Sequence, residues 1–331
     1  MQAWHRRAGL LLAALAPLAL LVPHVASAAP PWPEAKPIIY VVPFTPGGST
    51  DIVGRTLANK LQESLKQSVV VENRPGQAGG IGAAYVAKAA PDGYTLFGGT
   101  ISTHAINASL YPNLSYDPVK DFEPVALVAR LPNVLIVNSQ LGVNSVAELL
   151  ALLRSDASRR VFASSGAGTS AHLAGEMFAD LAGVKLMHVP YKGTPPALTD
   201  VAAGQVPFMF DQLSAALPLV KSGKLKLLAV TSAKRMELLP ELPTMIESGV
   251  PGFEMSSWQA VYAPRGTPQP IVQRLNAEIV KALRQQDVQA RLGGQLGMEI
   301  VGSTPEELRV HMAGEILRWA ELVRKSGATA Q

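Results

Sequence analysis

The sequence predicts an α/β protein made of two lobes, and three observations lead to this class. Short strands rich in β-branched residues alternate with amphipathic helices along most of the chain. Two of the strand-to-helix connections are rich in glycine and short polar residues. They centre on Gly48 and Gly168, 120 positions apart, which is too far for one βαβ unit and suits one connection in each of two domains.

The amino-terminal segment, residues 1–28, has the pattern of a secretory signal peptide. Arg6 and Arg7 precede an almost wholly apolar run from Ala8 to Val22, and a small-residue cleavage site follows from Ala26 to Ala28. The apolar run is shorter than the ~20 residues that a membrane-spanning helix needs. We predict cleavage after Ala28, with an uncleaved membrane anchor as the alternative.

Composition narrows the class further. The chain has no cysteine, which excludes disulfides, thiolate metal sites and a lipid-anchored cysteine at the cleavage site. An exported protein without disulfides fits a bacterial periplasm. Loss of Arg6 and Arg7 with the signal lowers the formal charge from +4 to +2, and basic residues are scattered, so no nucleic-acid partner is expected. The histidines show no metal-ligand spacing, and no cofactor is expected.

The first glycine-rich connection joins a buried strand to a helix. Ile38–Val42 is β-branched or aromatic, and an apolar stripe runs from Val53 to Leu65 in the helix that follows. Between them, P-F-T-P-G-G-S-T-D ends in three candidate N-cap residues, Ser49, Thr50 and Asp51. The first turn of a helix presents unpaired N–H groups and a partial positive charge, so this loop favours an anion.

The second connection repeats the arrangement. Val161–Ser164 predicts a short strand, and S-S-G-A-G-T follows from Ser164 to Thr169. The next helix carries an apolar stripe from Leu173 to Leu181, and Gly183 is placed to end it. One such loop in each lobe would hold a small anion from both sides.

The remaining elements continue the alternation, so the sheets are expected to be mixed but mainly parallel, with helices on both faces. Strands are predicted at 186–189, 206–210 and 225–231. A proline pair opens a helix near Pro195, and Pro268 precedes another. Thr304 to Glu307 forms a capping box that predicts the start of the last helix.

A further strand follows the turn P-D-G at residues 91–93 and ends near Thr100. Open α/β sheets bind ligands at the carboxyl ends of their strands. The polar residues at this end are therefore candidates for ligand contact: Thr100, Ser102, Thr103 and His104.

Seven stretches in order resemble one family, the Bug-type receptors of tripartite tricarboxylate transporters. The stretches are K-P-I-I-Y-V-V-P-F-T-P-G-G-S-T-D, V-V-V-E-N-R-P-G-Q-A-G-G-I-G, P-D-G-Y-T-L, Y-D-P-V-K-D-F-E-P-V, S-S-G-A-G-T-S-A-H-L-A-G-E, H-V-P-Y-K-G-T-P-P-A-L-T-D and W-Q-A-V-Y-A-P-R-G-T-P. They span Lys36 to Pro268, and any one of them alone would be a weak signal.

The resemblance implies a two-lobed Venus-flytrap periplasmic binding protein fold, type II-like. The sequence gives little support for a catalytic motif, so no enzyme activity is expected. Residues 30–130 plus 256–331 would form the first lobe and residues 131–255 the second, with crossings near Arg130 and Ser256. The expected partners are a small organic mono- or dicarboxylate in the cleft and the membrane permease subunits of a tripartite transporter. A monomer is expected.

The matching motifs also imply which residues contact the ligand. From the first lobe these are Phe44, Thr45, Gly47, Gly48, Ser49 and Asp51, and from the second Ser164, Ser165, Gly166, Gly168, Thr169 and His172. Tyr191 and Lys192 would flank the cleft.

Several of these residues have an alternative role. Asp51 would repel a bound carboxylate, so capping its own helix is the better interpretation. Asp211 would either accept a hydrogen bond from the ligand or only end its strand. A structural hydrogen bond is an equal alternative for His172, and the case for His104 is weaker.

Two other functions remain open at this point. A secreted hydrolase acting on carboxylate esters is one, although Ser165 lacks the G-x-S-x-G pattern of a nucleophile elbow. A ligand sensor for a membrane signalling protein is the other. Retention of ligand without turnover would separate a receptor from an enzyme.

Overall fold

The computed structural model of the protein describes residues 31–326 and residue 329. The predicted signal peptide, residues 1–28, lies outside the described residues. Within the described part, no helix combines the length and the apolar character needed to cross a membrane.

Strands and helices alternate along the described chain. The strands are β1 (Ile38–Val42), β2 (Val69–Asn73), β3 (Thr95–Thr100), β4 (Phe122–Asn138), β5 (Val161–Ser164), β6 (Met187–Pro190), β7 (Phe208–Gln212), β8 (Leu225–Val230), β9 (Ser256–Pro264) and β10 (Glu299–Ile300). The helices are α1 (Ser49–Leu65), α2 (Gly80–Ala87), α3 (Asn107–Leu110), α4 (Val146–Ser155), α5 (Ser170–Ala182), α6 (Thr194–Ala202), α7 (Leu213–Lys221), α8 (Gln269–Leu283), α9 (Gln286–Val288) and α10 (Pro305–Ser326).

The strands form a mixed sheet in the order β2-β1-β3-β9-β4-β7-β5-β6, with β8 and β10 also paired to β4. β1 pairs in parallel with β2 and β3, and β5 pairs in parallel with β6 and β7. The pairings of β4 with β7, β8, β9 and β10, and of β3 with β9, are antiparallel. More of the strand pairings are antiparallel than the alternation of strands and helices predicted. The reason is that β9 returns through the middle of the sheet beside β4.

β4 joins the two halves of the sheet. Up to Pro132 it pairs with β9, and from Asn133 onward it pairs with β7 and β8. We call β1–β3, β9, β10 and the first part of β4 the first half-sheet, and β5–β8 with the rest of β4 the second half-sheet. Pro132 pairs with Ser256, the first residue of β9, so the two crossing segments lie side by side.

Thr231 ties these crossing segments together. Its buried hydroxyl accepts a hydrogen bond from the Asn133 N–H at 2.9 Å and lies 2.7 Å from the carbonyl oxygen of Met255. The Met255 N–H in turn donates to the Thr231 carbonyl oxygen at 2.9 Å. Because one residue bonds to both segments, they are held at a fixed spacing where the chain passes between the half-sheets.

Helices cover both faces of the sheet, as the apolar patterns predicted. Apolar residues of α1 and α8 pack with β1, β9 and the first part of β4 in one core, and a second core lies between α6, α7 and the second half-sheet. A third core continues across both half-sheets and includes Phe97, Phe210, Phe253 and Trp319. The final helix, α10, packs against β4, α3 and α5 and so contacts both halves.

Local signals in the sequence located many element boundaries. β1 and β5 have the predicted bounds, Gly183 caps α5 in the left-handed conformation, and the capping box before α10 is formed. The start of α1 differs: its N-cap is Gly48, and not Ser49, Thr50 or Asp51. Those three residues are instead its first turn, which places their backbone N–H groups at the end of the helix.

Gly175 on α5 is required by packing, which gives a first testable prediction. A Cβ at this buried position would overlap the ring of Phe162. We expect Gly175→Ala to lower the free energy of unfolding by about 1–3 kcal/mol despite alanine's better helix propensity. Gly314 on α10 has no atom within 4 Å of an added Cβ, so Gly314→Ala should raise it by about 0.5–1 kcal/mol. Equal urea midpoints for the two variants would contradict this.

Candidate functional site

Four helices begin at one point in the cleft between the half-sheets. The N-caps are Gly48 for α1, Thr169 for α5, Gly193 for α6 and Gln212 for α7. Only the α5 N-cap has a side chain that accepts a hydrogen bond from its own first turn. Since the dipole of each helix places partial positive charge at its N-terminus, the four together create a site for an anion.

These N-termini surround an inner cavity of about 30 Å³. No charged side chain occurs among the described residues that line it. The lining residues are Phe44, Thr45, Gly48, Ser49, Thr50, Thr100, Ser102, Ser165, Thr169, Ser170, Thr194, Gln212, Ser257 and Gln259. Backbone N–H groups, hydroxyls and amides are therefore what the inner cavity offers to a ligand.

An outer cavity of about 500 Å³ adjoins the inner one, and Phe44 and Ser165 line both. Its walls come from the segments 76–79 and 111–113 on one side and 165–167 and 190–192 on the other. Lys192 is exposed and contributes a positive charge to this wall. A ligand with an anionic group in the inner cavity would extend its remaining atoms into the outer cavity.

Gln212 connects the helix N-termini to the crossing segment. Its Nε2 donates to Asn133 Oδ1 at 2.9 Å and to Ser170 Oγ at 3.2 Å, and its Oε1 accepts from Ser49 Oγ at 3.2 Å. Gln259 Nε2 also donates to Ser49 Oγ, at 3.1 Å. This network fixes the side chains of α1 and α5 relative to each other at the base of the cavity.

Three polar groups in the inner cavity have no hydrogen-bond partner within the described chain. They are the hydroxyls of Thr45 and Thr100 and the side-chain oxygen of Gln259. Buried polar atoms are normally paired. A polar ligand group in the inner cavity would supply the hydrogen bonds that these three groups lack.

The structure brings about half of the predicted contact residues to the cavities and places the others behind them. The residues that line a cavity are Phe44, Thr45, Gly48, Ser49, Thr100, Ser102, Ser165, Gly166, Thr169 and Tyr191. Those that line neither are Gly47, Asp51, Thr103, His104, Ser164, Gly168, His172 and Asp211.

Asp51 holds the first loop from behind. Its carboxylate accepts hydrogen bonds from Gly47 N–H at 3.0 Å, Arg55 Nε at 2.9 Å and Asn73 Nδ2 at 2.9 Å. Burial alone would raise the pKa of Asp51, but these hydrogen bonds and the positive charge of Arg55 hold it below its usual range. The ionised group faces away from the cavity, which avoids repulsion of a bound anion.

Two stacked histidines support the second loop in the same way. His172 Nδ1 accepts from Gly168 N–H at 3.1 Å, and His188 Nε2 lies 2.6 Å from Ser164 Oγ. The two imidazole centroids are 3.9 Å apart. Burial lowers the pKa of His188 to about 3, with a further contribution from His172. Neither imidazole lines a cavity and both make hydrogen bonds to the loop, as in the structural alternative that the sequence left open for His172.

The contact between Ser164 and His188 is not a catalytic pair. Ser164 is fully buried, lines neither cavity and accepts a hydrogen bond from Gly166 N–H at 3.1 Å. A histidine of such low pKa is a poor general base near neutral pH. Nor does the described part of the chain contain three His, Asp or Glu residues placed to hold a metal ion.

His104 lies inside the first half of the protein because a π-helical turn, Ser102–Ile106, follows β3. Its ring stacks on Tyr262 at a centroid distance of 3.7 Å, and Nδ1 lies 2.9 Å from Thr103 Oγ1. Burial lowers the pKa of His104 to about 3. The side chain therefore supports the end of β3 while Thr100 and Ser102 face the cavity.

Asp211 lies one residue before Gln212 and is fully buried. Thr194 Oγ1 donates to its Oδ2 at 2.7 Å, and Gln212 N–H donates to its Oδ1 at 2.8 Å. Burial raises the pKa of Asp211 to about 6 against the opposing effect of these two donors. Its position joins the start of α6 to the start of α7.

Sequence reasoning did not identify Thr50, Ser170, Thr194, Gln212, Ser257 and Gln259 as cavity residues. Ser257 and Gln259 are two positions apart on β9 and so share one face of the strand. That spacing within the stretch S-W-Q was the available signal. Gln212 carried no comparable signal, because glutamine is not a common N-cap residue.

A two-lobed α/β frame, with a polar cleft where helix N-termini meet, defines a solute-binding protein of the periplasmic type. The comparisons agree. The family model described as "Tripartite tricarboxylate transporter family receptor" matches residues 53–328. The chain belongs to this family, as the sequence motifs predicted, and its members are receptors and not enzymes.

Individual relatives support the same assignment. BugT of Bordetella pertussis is 41% identical over 295 residues, which cover 89% of this chain and 90% of BugT. Rpa4515 of R. palustris, solved with adipate, superposes with a TM-score of 0.87 at 42% identity, covering 91% of this chain and 100% of that one. MatC of Rhodopseudomonas palustris, solved with bound malate, gives 0.83 at 36% identity, covering 88% and 99%.

Proposed function

We propose that this receptor binds a small organic mono- or dicarboxylate with one carboxylate group in the inner cavity and delivers it to the permease subunits of a tripartite transporter. The convergence of four helix N-termini on a cavity with no charged side chain carries this proposal. The adipate and malate bound by two relatives are both carboxylates, which supports the same ligand class.

The binding residues in this proposal are the predicted residues that line a cavity together with Thr50, Ser170, Thr194, Gln212, Ser257 and Gln259. Asp51, His172 and Asp211 act through the loops that they hold. Hydrogen bonds from a carboxylate to N–H groups are charge-assisted, and rigid helix termini need little rearrangement to form them.

We further propose the lobe limits given by the sequence, 30–130 plus 256–331 and 131–255. The change of pairing partners along β4 between Pro132 and Asn133 supports this division. Export through a signal peptide cleaved after Ala28 and a monomeric state complete the proposal. Intact-mass measurement of the periplasmic protein and its mass in solution would test both.

Titration calorimetry with a panel of acids tests the ligand class. The panel would contain malate, adipate, citrate, glutamate and benzoate, each paired with its fully methylated ester as a control that has no carboxylate group. We expect at least one acid to bind and its ester not to bind. Binding of an ester as tightly as its acid would contradict an anion site, and release of methanol from an ester would support the hydrolase instead.

Gly48 offers a test of the inner cavity itself. Its φ is −78° and an added Cβ would come no closer than 3.8 Å to the Thr45 carbonyl oxygen, so the backbone tolerates a side chain. The methyl groups of Gly48→Val would then occupy part of the small cavity. We expect at least tenfold weaker binding of the acid with an unchanged melting temperature. Gly294→Val, at an exposed glycine with no atom within 4 Å of an added Cβ, is the control.

Gly168 is unsuitable for that test. Its φ is +86°, and an added Cβ would lie 2.7 Å from Leu110 Cδ2. A side chain there would strain the loop and force the two halves apart at once.

Unchanged binding in Gly48→Val would show that the ligand does not approach the first loop.

A further inference from the structure

Loops from the two half-sheets meet on both sides of the cavities. On one side Gly193 packs directly on Thr45, and a Cβ added to Gly47 would lie 3.7 Å from Pro195 Cγ. On the other side the Tyr111 hydroxyl donates to the carbonyl oxygen of Ala167 at 2.9 Å. The second contact joins the segment after α3 to the glycine-rich loop before α5, two segments that belong to opposite halves.

Tyr111 and its neighbour also pack on that loop. A Cβ added to Gly168 would lie 2.7 Å from Leu110 Cδ2 and 3.2 Å from Tyr111 Cε2. The close approach is possible because residue 168 is glycine, which also tolerates its φ of +86°. The hydrogen bond to Ala167 is thus reinforced by direct contact of the ring with the loop backbone.

Each side of this contact is anchored within its own half. Asn107 Nδ2, on α3, lies 3.3 Å from the Ala78 carbonyl oxygen and 3.2 Å from the Tyr116 hydroxyl. On the opposite side, the Gly168 N–H is held by His172. The bond between Tyr111 and Ala167 therefore joins two rigid segments, and separation of the halves must break it.

We propose that Tyr111 is a latch, a positioning residue that holds the two halves together and sets how long the ligand stays bound. Tyr111 lines the outer cavity and not the inner one, so the proposed carboxylate position is out of its reach. The latch stabilises the closed arrangement of the two halves, in addition to the contacts that the ligand makes with each half. Its effect on ligand release rests on the proposed function, whereas its effect on closure does not.

Tyr191 provides a matched control. It lines the same outer cavity, but its hydroxyl donates to Asp200 Oδ2 at 2.6 Å, within the second half. Tyr111→Phe and Tyr191→Phe each remove one hydroxyl from the wall of this cavity. Only the first removes a bond between the halves, so a difference between the variants in the ligand-free protein isolates the latch from any contact that Tyr191 makes with a ligand.

Distance measurements by single-molecule energy transfer test the proposal, since the chain has no native cysteine. Dyes would be attached through Val119→Cys and Met187→Cys, both at exposed positions, one in each half. We expect Tyr111→Phe to shift the distance distribution away from that of the wild type, and Tyr191→Phe to leave it unchanged.

Malate and adipate serve as probes for stopped-flow kinetics. Loss of one hydrogen bond predicts about threefold to tenfold faster dissociation, by the same factor for both probes, with an unchanged association rate.

Three outcomes would overturn the latch. The first is identical distance distributions for wild type and Tyr111→Phe, with and without a probe. The second is an equal shift of the ligand-free distance distribution in Tyr191→Phe, and the third is faster dissociation of one probe only, which would mean that Tyr111 contacts the ligand. If neither probe binds the wild type, an acid of the calorimetry panel that does bind replaces them, and the distance distributions of the free protein still decide on the latch.

Discussion

Gln212→Glu is expected to weaken carboxylate binding at least a hundredfold at pH 7.5. The substitution keeps the shape of the side chain but replaces its amide with an anion at the point where α1, α5 and α7 begin. It also removes the donor to Asn133 Oδ1, leaving two acceptors face to face. Two like charges about 4 Å apart repel by roughly 4 kcal/mol at an effective dielectric constant of about 20, and 1.4 kcal/mol is about tenfold in affinity.

The pH dependence of this variant distinguishes charge from shape. Burial and a bound anion both raise the pKa of the introduced carboxyl group, because both disfavour its ionised form. Affinity should therefore recover as the pH falls from 7.5 towards 5. Titration calorimetry at several pH values would measure this recovery, and Gln140→Glu, on the exposed surface, controls for the change in net charge. Affinity within threefold of the wild type at pH 7.5 would contradict the proposed anion site.

Asp211→Asn is expected to stabilise the protein at neutral pH. Burial raises the pKa of Asp211 to about 6 from its ordinary value of 3.8. The folded state therefore retains a proton that the unfolded state releases, and stability falls as the pH rises from about 4 to about 6. This difference in pKa corresponds to about 3 kcal/mol, which the uncharged asparagine side chain would not lose.

The measurement is the difference in free energy of unfolding between Asp211→Asn and the wild type across pH. We expect the difference to be near zero at pH 4 and to approach about 3 kcal/mol above pH 7, reduced by any loss in the hydrogen bonds to Thr194 and Gln212. Asp156→Asn, at a partly exposed aspartate whose pKa is lowered by hydrogen bonds from Ser158, should not show a gain that grows with pH. A constant difference at all pH values would mean that the folded protein does not hold Asp211 protonated.

Local chemistry was sufficient to predict the elements that build the first and second loops. The β-branched run Ile38–Val42 and the apolar stripes after each glycine-rich loop gave correct strands and helices, because hydrophobic period and cap residues act over a few positions. The path of β4 and β9 between the halves was not available from such signals. It depends on pairing between segments more than a hundred residues apart, and the prediction of crossings near Arg130 and Ser256 came only from the resemblance to a family.

The site was predicted unevenly for a related reason. The Gly-rich loops before α1 and α5 can be recognised from their composition. The starts of α6 and α7 do not, since α6 opens with Pro195 and Pro196 and the N-cap of α7 is Gln212. His104 was expected near the ligand because it follows a strand end, but the π-helical turn directs it into the core. Proximity in sequence identified which strand ends lie near the site. It did not give the orientation of each side chain.

The absence of charged side chains around the inner cavity, among the described residues, has an evolutionary consequence. When backbone groups hold the anion, as proposed, substitutions on the outer walls leave those amide groups in place, whereas Gly48→Val and Gln212→Glu act on the anion site itself. Changes of specificity are therefore expected on the outer walls, where a new residue alters which molecule fits. After gene duplication, one copy can acquire specificity for a different ligand while it keeps the inherited groups that bind the acid.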